Sequence, residues 1–222
     1  MGDDISYLRK WFRRGLSKDG HTLDLSNRAI GNKEALDLAE NSPSFPDLKI
    51  LYLHTNKIKD LGLEELAESE LFDSIQELWL YQNRIGDDGA RALAESSRLS
   101  HLHYLSLYTN RIGDDGAVAL AQSPVLSQLE TLDLSFNRIG DEGTVALAHS
   151  TTLKNLKVLH LDANRIGYEG MHALAHSRGL KNLTALNLMY NKIHPGGLEL
   201  MRESKRLKSL QVLKTDLILP DD

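Results

Sequence analysis

Leu51, Leu78, Leu105, Leu132, Leu159, Leu186 and Leu213 stand 27 residues apart along a chain of 222 residues. Each of the first six opens a stretch of the form L-x-L-x-x-N-[RK]-I. A unit this short cannot bury an apolar face alone. A fixed period of this size therefore means a solenoid, in which each unit buries that face against its neighbours. The functional question moves with it, from a cleft to a long curved surface.

One copy shows how a unit is built. Leu105 and Leu107 alternate with Ser106 and Tyr108, the period of a short strand with one buried face. From Asp114 the chain reads as a helix, with Ala117, Leu120 and Ala121 at helical spacing. The helix supplies the crossover that stacked parallel strands require. The repeated columns have structural readings. Asn56, Asn83, Asn110, Asn137, Asn164 and Asn191 fall where strand becomes loop. A buried amide there satisfies backbone groups of its own turn and of the next repeat's. Ile58, Ile85, Ile112, Ile139, Ile166 and Ile193 fill the core beneath that turn. Gly86, Gly113, Gly140 and Gly167 suit a tight loop with positive φ. Asp87, Asp114 and Asp141 are placed as N-caps of their own helices. The second glycines, among them Gly89, Gly116 and Gly143, let helices pack closely.

The phrase Asn83-Arg84-Ile85-Gly86-Asp87-Asp88-Gly89-Ala90-Arg91-Ala92-Leu93-Ala94 resembles the leucine-rich repeats of the ribonuclease-inhibitor type, and those of NOD-like receptors and their bacterial relatives. The resemblance covers roughly residues 21–216. It implies an α/β fold: a right-handed leucine-rich-repeat solenoid, a curved horseshoe arc with a parallel inner sheet and outer helices, about seven repeats plus caps. Departures locate the ends. The first unit has Arg28 in place of the ladder asparagine, and the seventh reads His194-Pro195-Gly196-Gly197, with Pro195 suited to a first helical turn. Residues 1–20 are assigned to an N-terminal capping helix, 21–216 to the solenoid and 217–222 to a C-terminal tail. Ile5, Leu8, Phe12 and Leu16 share one face of that first helix, and Arg9, Lys10, Arg13 and Arg14 lie elsewhere. A cap over the open core is the favoured reading, with a basic membrane-surface helix as the alternative.

The formal charge of −5 argues against nucleic acid and points to a basic protein partner. The chain has no cysteine, whereas extracellular leucine-rich-repeat proteins usually carry disulfide-bonded caps. With no N-terminal apolar leader and no long apolar run, the expectation is a cytoplasmic, monomeric protein without membrane contact. No nucleophile motif, phosphate loop or dinucleotide fingerprint occurs, so neither enzymatic activity nor a cofactor is expected. His172 and His176 stand four apart but lack the glutamate of H-E-x-x-H, and read as surface residues rather than a metal site.

On each strand the residues between the leucines point out of the inner face. Tyr52, Trp79, Tyr81, Tyr104 and Tyr108 fall on adjacent positions there, with His54 and Phe136 beside them. Strands lie ~4.8 Å apart, so these side chains form one patch of the kind enriched in binding hot spots. Asp133, His160 and Asp162 give a smaller acidic zone farther along. The ten are the candidate partner-binding residues. The column Lys57, Arg84, Arg111, Arg138, Arg165 and Lys192 is expected to be neutralised by Asp87, Asp88, Asp114, Asp115, Asp141 and Glu142. The leading function is a protein-interaction module. The Ran GTPase-activating protein has a similar repeat fold, which implies regulation of a GTPase as one alternative, through Asn110, Arg111 or Arg138. A bacterial effector or toxin inhibitor is the other.

Overall fold

A computed structural model describes residues 5–216 of the protein. Eight three-residue strands lie in one parallel sheet in chain order: β1 Thr22–Asp24, β2 Ile50–Tyr52, β3 Glu77–Trp79, β4 Tyr104–Ser106, β5 Thr131–Asp133, β6 Val158–His160, β7 Ala185–Asn187 and β8 Val212–Lys214. The register puts Leu23, Leu51, Leu78, Leu105, Leu132, Leu159, Leu186 and Leu213 level with one another across the sheet. The sequence period is therefore the lateral repeat of the sheet. Helix α1 (Ser6–Gly15) precedes β1. Helices α2 (Asn32–Asn41), α3 (Asp60–Glu68), α4 (Asp87–Glu95), α5 (Asp114–Gln122), α6 (Asp141–His149), α7 (Tyr168–Ala175) and α8 (Pro195–Arg202) each connect one strand to the next. This is the expected α/β solenoid.

The core is one continuous column of leucine and isoleucine between sheet and helices. Leu51, Leu78, Leu105, Leu132 and Leu159 are fully buried, as are Ile58, Ile85, Ile112, Ile139 and Ile166. At the first end Leu8 and Phe12 of α1 join that core, Phe12 packs its ring on Phe45 at 5.4 Å, and Leu16 bridges to Leu23. Arg28 lies over the Trp11 ring, 5.7 Å from its centre. The boundary expected at residue 217 lies outside the described residues.

Three polar columns tie each repeat to its neighbour, and they correct the sequence reading. The asparagine ladder reaches backward, not forward. Asn137 Oδ1 accepts from the Ile112 amide of the preceding repeat at 3.0 Å, while Nδ2 donates to the carbonyls of Leu107 and Leu134 at 2.9 and 3.1 Å. Asp87, Asp114 and Asp141 do not cap their own helices. The N-cap of α5 is Gly113, with no side-chain cap of its own. Asp87 instead accepts from the amides of Gly113 and Gly116, at 2.6 and 3.0 Å, and so caps the following helix. Asp60, Asp114 and Asp141 do the same one repeat on. The third column lies at the far end of the helices. Ser96, Ser123, Ser150 and Ser177 donate at 2.5 to 2.6 Å to the carbonyls of Ala67, Ala94, Ala121 and Ala148.

The glycines are explained by this capping, not by their backbone. Gly113 has φ −103°, so positive φ is not the reason for it. A Cβ at Gly113 would stand 3.2 Å from the Asp87 carboxylate, and one at Gly116 would stand 2.6 Å from it. The positive φ falls instead on Thr55, Gln82, Thr109, Phe136, Ala163 and Tyr190, one per repeat just before the ladder asparagine. The asparagine bonds behind this turn hold a conformation that L-residues avoid.

Candidate functional site

Strands of three residues, each locked in register, set the side chains of the inner face on a grid. Tyr52 is level with Trp79, and Glu77 with Tyr104. The rings meet as the strand spacing requires. Trp79 stacks on Tyr104 with centroids 4.3 Å apart, and Tyr52 lies 5.7 Å from Trp79. His54 stacks on Tyr81 at 4.1 Å and an interplanar angle of 8°. Tyr81 continues to Tyr108 at 6.3 Å, and Tyr108 meets the edge of Phe136 at 5.3 Å. The Trp79–Tyr81 contact at 6.3 Å joins the two rows. Tyr52, His54, Trp79, Tyr81, Tyr104, Tyr108 and Phe136 thus form one connected sheet of rings across β2 to β5.

Most of these rings are half-buried by one another, and Phe136 is 45% exposed. Ser106 and Ser135 lie on the inner face yet are buried. Carboxylates border the rings. Glu77 accepts from Trp79 Nε1 at 3.3 Å. Burial raises the Tyr104 hydroxyl to about 12, with Asp133 and Glu77 adding to the effect. Burial raises Tyr52 as well, helped by Glu77 and Asp24. Burial pushes the His54 imidazole below its ordinary value, against the pull of Asp24. Among the described residues, the inward-facing strand positions carry Asp24, Glu77, Asp133, Asp162 and Asp216, against Lys214 as the one lysine or arginine. It is an aromatic surface in a negative field.

Asp133, His160 and Asp162 lie beyond the rings, with Asp133 near enough to act on Tyr104. Asp133 and His160 are level on β5 and β6. Asp162 accepts from Ser135 Oγ at 2.6 Å and Asn187 Nδ2 at 2.7 Å, so one of its oxygens cross-links three repeats. Among the described residues no group of three or more His, Asp or Glu is placed to hold a metal ion. His172 and His176 stack on each other at 4.3 Å.

The acidic residues beside the basic column make no direct ion pair with it among the described residues. Among the described residues, Lys57, Arg84, Arg111, Arg138, Arg165 and Lys192 take part in no ion pair. Asp87, Asp114 and Asp141 face the next repeat's amides, and Asp88 pairs with Arg91 inside its own helix at 2.9 Å. The serine column, the cross-repeat cap and the positive-φ row join one repeat to the next or lie in the backbone, so no single repeat of the sequence displays them. The recurrence of Ser96, Ser123, Ser150 and Ser177 at the same 27-residue step was the available clue.

A parallel sheet of strand and helix units that repeat on a 27-residue leucine period defines a leucine-rich-repeat protein. A leucine-rich-repeat family model matches residues 74–94, 98–121, 126–148, 152–175 and 179–201, and the chain belongs to that family. Among solved structures it is similar to an internalin from Listeria monocytogenes, with 25% identity and a TM-score of 0.51. The match covers 79% of this chain and 49% of the internalin, so the chain spans about half of that protein's length. Comparison with the curated proteins gives no match. No helix among the described residues is long and apolar enough to cross a membrane.

Proposed function

We propose that the protein is a non-enzymatic interaction module of the cytoplasm, with repeats of the ribonuclease-inhibitor type, that holds a basic protein partner on its inner face. The observation that carries this reading is the connected sheet of rings from Tyr52 to Phe136 with carboxylates on its border. Tyr and Trp offer large contact area at low ordering cost, and their faces attract lysine and arginine cations. Glu77, Asp24 and Asp133 strengthen that attraction. The strands hold the rings in register, which limits the entropy lost on association. Likeness to an internalin, and leucine-rich repeats as a class, favour protein recognition over catalysis. For GTPase regulation the amide of Asn110 is not free, since it accepts from the Ile85 amide and donates to Leu80 and Leu107.

The test is an affinity capture in which wild type is compared with a Tyr52/Trp79/Tyr81/Tyr108→Ala variant whose fold is checked by circular dichroism. Any protein enriched is then titrated against the single variant Trp79→Ala. The expected loss is ~2 kcal/mol, about 30-fold in affinity. Equal affinity of wild type and the Trp79→Ala/Tyr108→Ala double variant refutes the inner-face site.

A further inference from the structure

Lys57, Arg84, Arg111, Arg138, Arg165 and Lys192 form a row along the edge where strands pass into loops. All six side chains are exposed. Their backbones are pinned: each residue's amide donates to the carbonyl of a ladder isoleucine in the preceding repeat, Lys57 to Ile30 and Arg111 to Ile85 at 2.8 Å, and Arg84 to Ile58 at 2.9 Å. Arg138, Arg165 and Lys192 repeat the same bond to Ile112, Ile139 and Ile166. The row is therefore as rigid at its base as the sheet. Parallel strands lie ~4.8 Å apart, so six cations span ~24 Å with like charges adjacent. The neighbouring carboxylates keep their charge but make no direct ion pair with the row. Asp60, Asp87, Asp114 and Asp141 accept from amides of the following helix. Asp88, Asp115, Glu142 and Glu169 open helices, where the helix N-terminus holds negative charge. A line of like charges without direct ion pairs, held at fixed spacing, is a cost in the free protein that a linear anion removes.

We propose that this row binds an extended acidic segment of a partner protein. A strand advances ~3.4 Å per residue with alternate side chains on one side, so about seven residues match the length of the row and present four carboxylates to it. Arginine, which supplies four of the six positions, pairs carboxylates bidentately. The rings of the adjoining face would stack the bases of a phosphodiester chain, but the formal charge of −5 and the carboxylates Asp133, Asp162 and Glu77 on that face repel its phosphates, which favours the acidic peptide and makes an oligothymidylate the competing ligand to test. The site is distinct from the ring surface in residues and in sign of charge. It stands or falls independently of the inner-face reading.

A fluorescent peptide of alternating Glu and Ser, about eight residues long, tests it by anisotropy at low and high salt. Wild type is expected to bind saturably at about 20 mM salt and to weaken steeply by about 300 mM. Arg84/Arg111/Arg138/Arg165→Gln is expected to lose roughly tenfold or more, and the four-Lys version, which keeps the charge but not the planar fork, to fall between wild type and the Gln variant. Should the fourfold Gln variant fail to fold, Arg111→Gln and Arg138→Gln are each expected to weaken binding about threefold. Trp79→Ala leaves peptide binding unchanged. The proposal is overturned by absence of saturable binding to wild type at low salt, or by Gln variants that bind like wild type. Tighter binding of an oligothymidylate of equal charge overturns it as well.

Discussion

Replacing Asp114 with alanine removes a cap that belongs to the next helix in the chain. In the structure Asp114 Oδ1 accepts from Gly140 at 2.7 Å and from Gly143 at 2.8 Å, the N-cap and third residue of α6. Loss of an N-cap costs ~0.5–2 kcal/mol, and bonds to a charged acceptor lie at the upper end of the hydrogen-bond range. The carboxylate is half-buried, which leaves water a partial substitute. Together these place the cost at ~2 kcal/mol. For a chain of this size that lowers Tm by ~4–8 °C. Calorimetry measures the total, and amide hydrogen exchange read by NMR places it. Gly140 and Gly143 are expected to exchange faster, while the first turn of α5, which contains Asp114 itself, keeps its protection. Asp115→Ala, beside it and without a bonded partner, changes stability by less than ~0.5 kcal/mol. A Tm within about a degree of wild type refutes the reasoning. So does faster exchange confined to α5.

Asn137→Ala strands the Ile112 amide, while the carbonyls of Leu107 and Leu134 keep the bonds they accept from Asn110 and Asn164, and is expected to cost ~1–3 kcal/mol by urea unfolding; a loss below ~0.5 kcal/mol contradicts the ladder's role. Gly116→Ala puts a Cβ 2.6 Å from the Asp87 carboxylate and 2.8 Å from Ile112 Cγ2, and should destabilise by ~1–3 kcal/mol, with the Asp87 cap lost from the exchange pattern. Tyr104→Phe should abolish one late step in the tyrosinate absorbance titration, at about 12. Its folded value is raised, so the stability it contributes is full below the ordinary tyrosine value of ~10 and is lost as pH rises through about 12. Asp37 is held below the ordinary carboxylate value chiefly by the Tyr7 hydroxyl at 2.5 Å, and its share of stability is full above the ordinary carboxylate value and is lost as pH falls from there through the lowered one. In Tyr7→Phe the Asp37 midpoint followed by NMR is expected to move upward; a midpoint that stays put removes the hydroxyl as the cause.

Sequence by itself determined the architecture. Leucines 27 apart have only one way to share a core, which is to lie level on neighbouring strands, and Leu51 to Leu213 do so. It also determined which rings meet, because residues at one column of a repeat must be neighbours: Tyr52 beside Trp79 and Tyr81 beside Tyr108 follow from the register alone. Direction across the repeats was decided only in three dimensions. A column such as Asp87, Asp114, Asp141 reads the same whether each carboxylate serves its own helix or the following one. Tilt and stagger of neighbouring units settle that it serves the following one. The same ambiguity hid the backward reach of Asn137 and the positive φ of Thr109 and Phe136. It also hid the state of the arginine row. Each of Arg84 and Arg111 is followed closely by two aspartates in the sequence, yet Asp87 and Asp114 face amides and leave Arg84 and Arg111 without an ion pair, because a carboxylate goes to the donors its backbone position can reach.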